Sequence, residues 1–250
     1  MEELLKENER IDDLEYKGLK IIQKNDGFCF GIDAVLLSDF AKEIRNNSNV
    51  LDLGTGTGIL SILLCAKTNL NKIYGVEIQK DIADMATRSV RMNNLEEKVQ
   101  IINMDINELE NTFNANYFDS IVTNPPYKNK NTGVTNENEY KYISRHETTA
   151  ELKDFIKISF KMLKDKGSLY MVHRPERLVD IISELRNNKL EPKKIKFVYS
   201  NINKEPKLVL IKAVKNGNKF LQVEKPLFVY KENGEYTDEI LKIYNKKEEM

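Results

Sequence analysis

Cysteine and histidine are scarce in this chain, with two of each in 250 residues. Cys29 and Cys65 sit in apolar surroundings with no metal-ligand spacing, which suggests a reducing, cytoplasmic setting. His146 and His173 are too few for a histidine-rich metal site, so no metal is expected. No apolar run approaches the ~18–20 residues that a membrane span needs. Met1 to Glu7 is acidic and lacks an apolar core, so neither a secretory nor a transit peptide is expected. There is no internal repeat and no long low-complexity tract. Net charge is also missing: 39 basic residues balance 39 acidic ones, so the chain as a whole does not advertise a polyanion partner.

What is present reads as globular and soluble, with 40% apolar and 31% charged residues. The length suits one large domain, or a domain with a small appendage. The charge is unevenly placed. Nine lysines against two glutamates lie between Lys193 and Lys225, while the first twenty residues hold seven carboxylates against four bases. The lysine-rich stretch can form a basic face, or simply a solvated edge hairpin.

In chain order, residues 1–18 form a polar lead-in. Leu19–Gln23 and Phe28–Phe30 flank Lys24-Asn25-Asp26-Gly27, a hairpin signal. A helix is expected from about Gly31 to Arg45, with Asp33 as N-cap. Asn49–Leu53 is a short apolar strand that runs into Gly54-Thr55-Gly56-Thr57-Gly58, and helical periodicity resumes at Ile59. Strand, glycine loop and helix in that order make a nucleotide-binding unit, in which the glycines let a ligand approach the backbone. Lys72–Ile78 is a second strand that places the Glu77 carboxylate where ribose hydroxyls would lie. A helix is expected over about 80–93. Val99–Asn103 is a third strand, followed by Met104-Asp105-Ile106.

Phe118–Thr123 is a fourth buried strand, and it stops in Asn124-Pro125-Pro126-Tyr127. Proline fixes φ and lacks an N–H, so the ladder cannot continue. The backbone there is stiff, its carbonyls lack sheet partners, and an amide and an aromatic ring flank it. A plain turn and a seat for a planar amine both fit the stretch taken alone. After Tyr127 the periodicity vanishes through Arg145 and His146, as in a functional or mobile loop. Arg145 and His146 can grip a ligand, or belong to an ordinary polar loop. Thr148 to Glu151 reads as a capping box for the next helix, with Gly167 as its C-cap. Strands follow at 168–173, 194–199 and 207–214, with a helix at 176–188 between the first two. Residues 220–230 are weakly extended, and a short helix closes the chain at 237–244. His173 and both cysteines read as structural.

This alternation predicts a doubly wound, mostly parallel α/β sheet with an antiparallel edge hairpin. Residues 1–30 form a lead-in and hairpin packed on a main domain at 31–250. The glycine loop, Glu77, Asp105 and Asn124 follow the ends of four successive strands, so they would line one crevice.

The glycine spacing is not that of dinucleotide enzymes, and no Lys-Ser/Thr follows for a phosphate loop. Asp52-Leu53-Gly54-Thr55-Gly56-Thr57-Gly58 resembles the first motif of the class I S-adenosylmethionine-dependent methyltransferases. Asn124-Pro125-Pro126-Tyr127 resembles the motif of those that act on amines. With Phe30-Gly31-Ile32-Asp33-Ala34-Val35-Leu36-Leu37 and the 236–244 tail, the likeness narrows to the bacterial tRNA1(Val) adenine-37 N6-methyltransferase family and runs from about Leu14 to Tyr244. The resemblance implies a Rossmann-like, seven-stranded sheet whose last pair is antiparallel. It implies S-adenosyl-L-methionine held by Asp52, Gly54, Thr55, Gly56, Glu77, Ile78, Asp105, Ile106 and Asn124. Asp33 would be either a cofactor contact or only a helix cap. It implies a tRNA partner; no membrane partner is expected, and the oligomeric state stays open, with a monomer favoured.

The residue types suit the chemistry. The adenine N6 lone pair is delocalised into the ring. Hydrogen bonds from that amine to the Asn124 side-chain oxygen and the Pro125 carbonyl would draw the nitrogen toward tetrahedral geometry. Pro125 and Pro126 hold the carbonyl in place, and Tyr127 can stack on the base. The methyl donor is a sulfonium, so it needs no metal. Other readings are an amine on ribosomal RNA or DNA, a protein glutamine amide, or a cofactor-binding regulator without activity.

Overall fold

Short apolar runs bounded by turn residues build the sheet of the computed structural model, which describes residues 4–25, 31–127 and 150–246. The strands are β1 (Glu9–Asp13), β2 (Lys20–Lys24), β3 (Asn49–Leu53), β4 (Lys72–Glu77), β5 (Val99–Asn103), β6 (Phe118–Thr123), β7 (Leu163–His173), β8 (Leu190–Tyr199), β9 (Pro206–Lys215), β10 (Gln222–Val223) and β11 (Leu227–Phe228). The helices are α1 (Ile32–Phe40), α2 (Ile59–Lys67), α3 (Lys80–Met92), α4 (Leu152–Met162), α5 (Leu178–Asn187) and α6 (Asp238–Ile243). Short 3-10 turns occupy Ile106–Asn111 and Pro175–Arg177.

The main sheet runs β10-β8-β9-β7-β6-β3-β4-β5, with β11 paired to β8. β5, β4, β3, β6 and β7 are mutually parallel, and β9 runs antiparallel to both β7 and β8. The expected seven strands are all present, and the two-residue β10 and β11 extend the sheet to nine. Side chains alternate between two cores. Val50 and Val122 face α1, α2 and α6, while Leu51, Leu53 and Ile121 face α4 and α5. Burial of both faces explains why these strands read as continuous apolar runs. The order reverses between β3 and β6, and ligands bind outside the strand ends at such a switch point.

Several expectations need correction. The stretch read as a lead-in holds a strand: β1 pairs antiparallel with β2, with Ile11 opposite Ile22, while the hairpin expected across Asp26-Gly27 falls on residues outside those described. Phe28–Phe30 lies outside the described residues. Arg88 of α3 fastens β1 with a two-pronged pair to Glu9, at 2.6 and 2.7 Å, and a bond to Asp84 at 2.9 Å. Helix α1 is capped by Gly31 rather than Asp33 and stops at Phe40, short of Arg45. The capping box of α4 is Glu151 with Asp154, one turn later than expected. Gly167 is no C-cap: α4 ends at Met162 and β7 begins at once, so Gly167 lies within the strand. Glu176 belongs to a 3-10 turn ahead of α5, and Ile78 falls just beyond β4.

The lysine-rich stretch divides in two. Lys194 and Lys212 hold Glu43 at 2.7 and 2.5 Å, Lys196 reaches Glu239 at 3.3 Å, and Lys215 is buried. Lys204, Lys207, Lys219 and Lys225 are exposed. The stretch is therefore neither a uniformly basic face nor merely a solvated edge. Among the described residues no helix is long and apolar enough to cross a membrane.

Candidate active site

Two glycines show what the loop after β3 requires. Gly56 has φ +57 and open space where a Cβ would stand, so a side chain there would be strained although nothing blocks a ligand. Gly75, in the neighbouring β4, lies directly beneath the loop. A Cβ at Gly75 would come within 2.9 Å of both Thr55 Oγ1 and Ile101 Cδ1. Gly54 and Thr55 each donate a backbone N–H to Val76 O at 3.0 Å, which ties the loop to that strand.

Asp52 works inward. It is 1% exposed and accepts hydrogen bonds from Thr55 Oγ1 at 2.6 Å and Ser61 Oγ at 2.8 Å. Burial pushes its carboxyl up to about 6, against the two hydroxyl bonds, which hold it down. Its side chain thus braces the loop from below. Ser61 was not anticipated; its only sequence signal is a small polar residue on the otherwise apolar inner face of α2.

Glu77, at the tip of β4, is nearly buried, and burial raises its carboxyl above the ordinary range. Its two oxygens accept the backbone N–H groups of Gly56 at 3.1 Å and Gln79 at 3.0 Å. A carboxylate oxygen has a second lone-pair site, so Glu77 keeps acceptor capacity for a pair of hydroxyls. Beside it Ile78 exposes 37% of its surface, an apolar ledge at the crevice. Asp105 caps the 3-10 turn after β5, with Oδ1 accepting from Asn107 N at 2.9 Å. Ile106 is 6% exposed and packs into the core among Leu51, Leu53 and Val76, so its side chain adds no ledge to match that of Ile78.

The fourth tip brings together more than the sequence suggested. Pro125 is buried, while Asn124, Pro126 and Tyr127 are half-buried. The Tyr127 hydroxyl lies 2.5 Å from Asp33 Oδ2 and 2.8 Å from Asn124 Oδ1. Its ring meets His173 at a centroid distance of 5.1 Å, and the Arg174 guanidinium stands 5.0 Å from its centre. His173 is 1% exposed. Its Nδ1 accepts the Arg174 backbone N–H at 2.8 Å, and its Nε2 has no hydrogen-bond partner among the described residues. Burial pulls its pKa down to about 4, so the ring is neutral at pH 7 with its proton on Nε2. His173 and Arg174 are therefore additions to the expected site. Arg145, His146 and the rest of the stretch after Tyr127 fall among residues 128–149, outside those described.

The crevice thus offers a glycine loop with room for a ligand, two carboxylates at successive strand tips, and an amide beside a rigid carbonyl. Known proteins resemble the chain in both sequence and fold. A Porphyromonas gingivalis protein named tRNA1(Val) (adenine(37)-N6)-methyltransferase is 28% identical over 204 residues, covering 80% of this chain and 79% of its own. A Haemophilus influenzae protein of the same name is 26% identical over 229 residues, covering 91% and 94%. Among solved structures, an Agrobacterium tumefaciens protein described as a predicted O-methyltransferase superposes with a TM-score of 0.69 at 18% identity, over 85% of this chain and 95% of its own. The profile of the methyltransferase small domain family matches residues 30–198, most of the described sheet and all four strand tips of the crevice, and the chain belongs to that family.

Proposed function

We propose that the protein transfers a methyl group from S-adenosyl-L-methionine to the exocyclic N6 amine of an adenine in tRNA, at position 37 of a valine tRNA. It would do so in the cytoplasm. One observation carries the reading: Asn124-Pro125-Pro126-Tyr127 stands at the tip of β6, beside β3 and its glycine loop in the sheet order. The names of the relatives supply the substrate.

S-adenosyl-L-methionine, when bound, supplies a methyl group already activated on a sulfonium. The loop Gly54-Thr55-Gly56 and the Asn124 backbone would hold its amino-acid end, Glu77 its ribose hydroxyls, and Ile78 the face of its adenine. Asp105 would meet the adenine amine with the carboxylate capacity that capping leaves. Ile106 contributes from the core behind it. At the acceptor, Asn124 Oδ1 and the Pro125 carbonyl accept the two N–H groups of the target amine. They favour the positive charge that builds on nitrogen as the new bond forms. The prolines keep the carbonyl in place, so no reorganisation is needed at the moment of reaction. Once alkylated, the amine loses its proton readily. Tyr127 lends a ring to the extruded base.

Incubation with labelled S-adenosylmethionine and total tRNA from cells lacking the enzyme, followed by nucleoside analysis, is expected to yield N6-methyladenosine. Label in a protein glutamine, or none in any nucleic acid, would refute the assignment. The buried Asp52 carboxylate adds a pH prediction. A cationic ligand favours the charged form of Asp52, so binding lowers its pKa and expels a proton near pH 6. Affinity is therefore full above that pH and declines as pH falls through it. Calorimetry should find the cofactor Kd about fivefold to tenfold weaker at pH 5 than at pH 7.5, with a much flatter profile in Asp52→Asn.

A further inference from the structure

Tyr127 has one hydroxyl proton and two acceptors facing it, Asp33 Oδ2 at 2.5 Å and Asn124 Oδ1 at 2.8 Å. It can donate along only one contact at a time. The carboxylate takes the proton, because a charge-assisted hydrogen bond is about twice as strong as a neutral one. The two distances rank the same way. With the proton committed to Asp33, the Tyr127 oxygen turns only lone pairs toward Asn124. Two oxygens at that separation with no proton between them repel. A half-turn of the amide removes the conflict: Nδ2 donates to the Tyr127 oxygen, and Oδ1 swings to the opposite side. Amide oxygen and nitrogen are nearly the same size, so packing does not oppose the turn.

We propose that Asp33 is a positioning residue which, through the Tyr127 hydroxyl, turns Asn124 Oδ1 toward the amine to be methylated. The proposal rests on Asn124 being the amine acceptor, as argued above. It gives Asp33 a role other than a helix cap or a cofactor contact. In the opposite amide orientation, Oδ1 accepts from Tyr127 and Nδ2 faces the incoming amine, donor against donor. Asp33 excludes that orientation by taking the only proton that supports it.

The surroundings fit a fixed relay. Asp33 sits in the first turn of α1, and its Oδ1 lies over Gly31, where a Cβ would come within 3.3 Å of it. His173 and Arg174 hold the Tyr127 ring from the adjoining end of β7. The relay therefore spans α1, the tip of β6 and the tip of β7.

A double-mutant cycle tests it. In steady-state transfer to tRNA, Asp33→Ala should lower kcat about 30-fold or more, because the freed Tyr127 proton then locks Asn124 Oδ1 inward. Tyr127→Phe keeps the ring and frees the amide, so it should cost only about threefold to tenfold. The double variant should recover to the level of Tyr127→Phe alone. Asp33→Asn, which keeps an acceptor, should fall between Asp33→Ala and wild type. Cofactor Kd by calorimetry should stay within about twofold throughout. A double variant as slow as Asp33→Ala, or slower, overturns the relay. So does a rise in cofactor Kd that matches the loss in kcat/KM of Asp33→Ala, since that marks a cofactor contact. A readout without substrate separates this failure from failure of the functional reading. With Asp33 present, Tyr127→Phe should shift the Asn124 side-chain amide proton resonances strongly; in the Asp33→Ala background it should shift them far less. Equal shifts in both backgrounds overturn the relay, whatever the substrate proves to be.

Discussion

Asn124→Ala should reduce kcat for methyl transfer by about a thousandfold, roughly 4 kcal/mol of transition-state stabilisation, while cofactor Kd changes by no more than about threefold. The size follows from where the charge appears. The target amine begins neutral and planar and gains positive charge only as its lone pair localises. An acceptor fixed beside it is therefore worth more in the transition state than in the ground state. Asn124 is anchored accordingly. Pro125 follows it at once and is buried, and the residue lies next to the tip of β3 in a parallel pairing that matches Leu53 with Thr123. Removal of the amide leaves the Pro125 carbonyl alone to accept from the amine. The glycine loop and Glu77, which lie on β3 and β4, keep their own hydrogen bonds, so the cofactor should hardly register the change. Asn124→Asp retains an acceptor and should recover part of the loss. An Asn124→Ala enzyme that turns over near the wild-type rate would show that the amine sits elsewhere. A large rise in cofactor Kd would instead make Asn124 chiefly a cofactor residue. Single-turnover transfer to tRNA, with calorimetry on the same preparations, separates the three results.

How much of this was readable beforehand depends on how local the determinants are. Strands β5 and β6 have the bounds their apolar runs predict, Val99–Asn103 and Phe118–Thr123; in β6 burial on both faces leaves a nearly unbroken local pattern, and in the edge strand β5 the run Val99, Ile101 and Ile102 suffices. The row of strand tips followed from those bounds and from the rule that ligands bind at the carboxyl ends of the strands in a parallel sheet. Strand β1, Glu-Arg-Ile-Asp-Asp, carries one apolar residue, and no periodicity can reveal it. A distant residue, Arg88, neutralises its Glu9. Asp33 suggested a helix cap because short acids so often serve as one. Tyr127, 94 residues away, competes for that carboxylate. His173 was within reach of inference. β6 and β7 are parallel, with Thr123 opposite Met171, so the same register carried two residues on sets Pro125 opposite His173. The sequence shows both strands but not that they are neighbours.

Lys215→Met should destabilise the fold by roughly 2–3 kcal/mol and lower Tm by about 5–10 °C in thermal unfolding. In the sequence Lys215 is one of nine lysines in a run that can be read as an RNA-facing surface. In the structure it is 6% exposed, and burial pulls its ammonium below the usual lysine range. Its three donors go to Phe160 O at 2.6 Å, Leu163 O at 2.8 Å and Asn116 Oδ1 at 2.7 Å. These bonds explain how α4 can end at Met162 without the glycine cap expected at Gly167. A helix leaves its last carbonyls without intrahelical partners. Here Ser159 O accepts from Leu163 N, Phe160 O from Lys215, and Lys161 O from Asn116 N at 3.0 Å. The chain can then enter β7 with no intervening turn, and β7 carries His173 to the side of Tyr127. Methionine fills the space of the lysine stem but donates nothing, so two backbone carbonyls and an amide oxygen lose their partner. The lost bonds outweigh the relief of no longer burying a charge. The same substitution at exposed Lys219 should change Tm by less than about 2 °C. If Lys215→Met matched that control, the end of α4 would have to be held by something other than this ammonium. If it weakened tRNA binding at unchanged stability, Lys215 would belong to the RNA surface and not to the core.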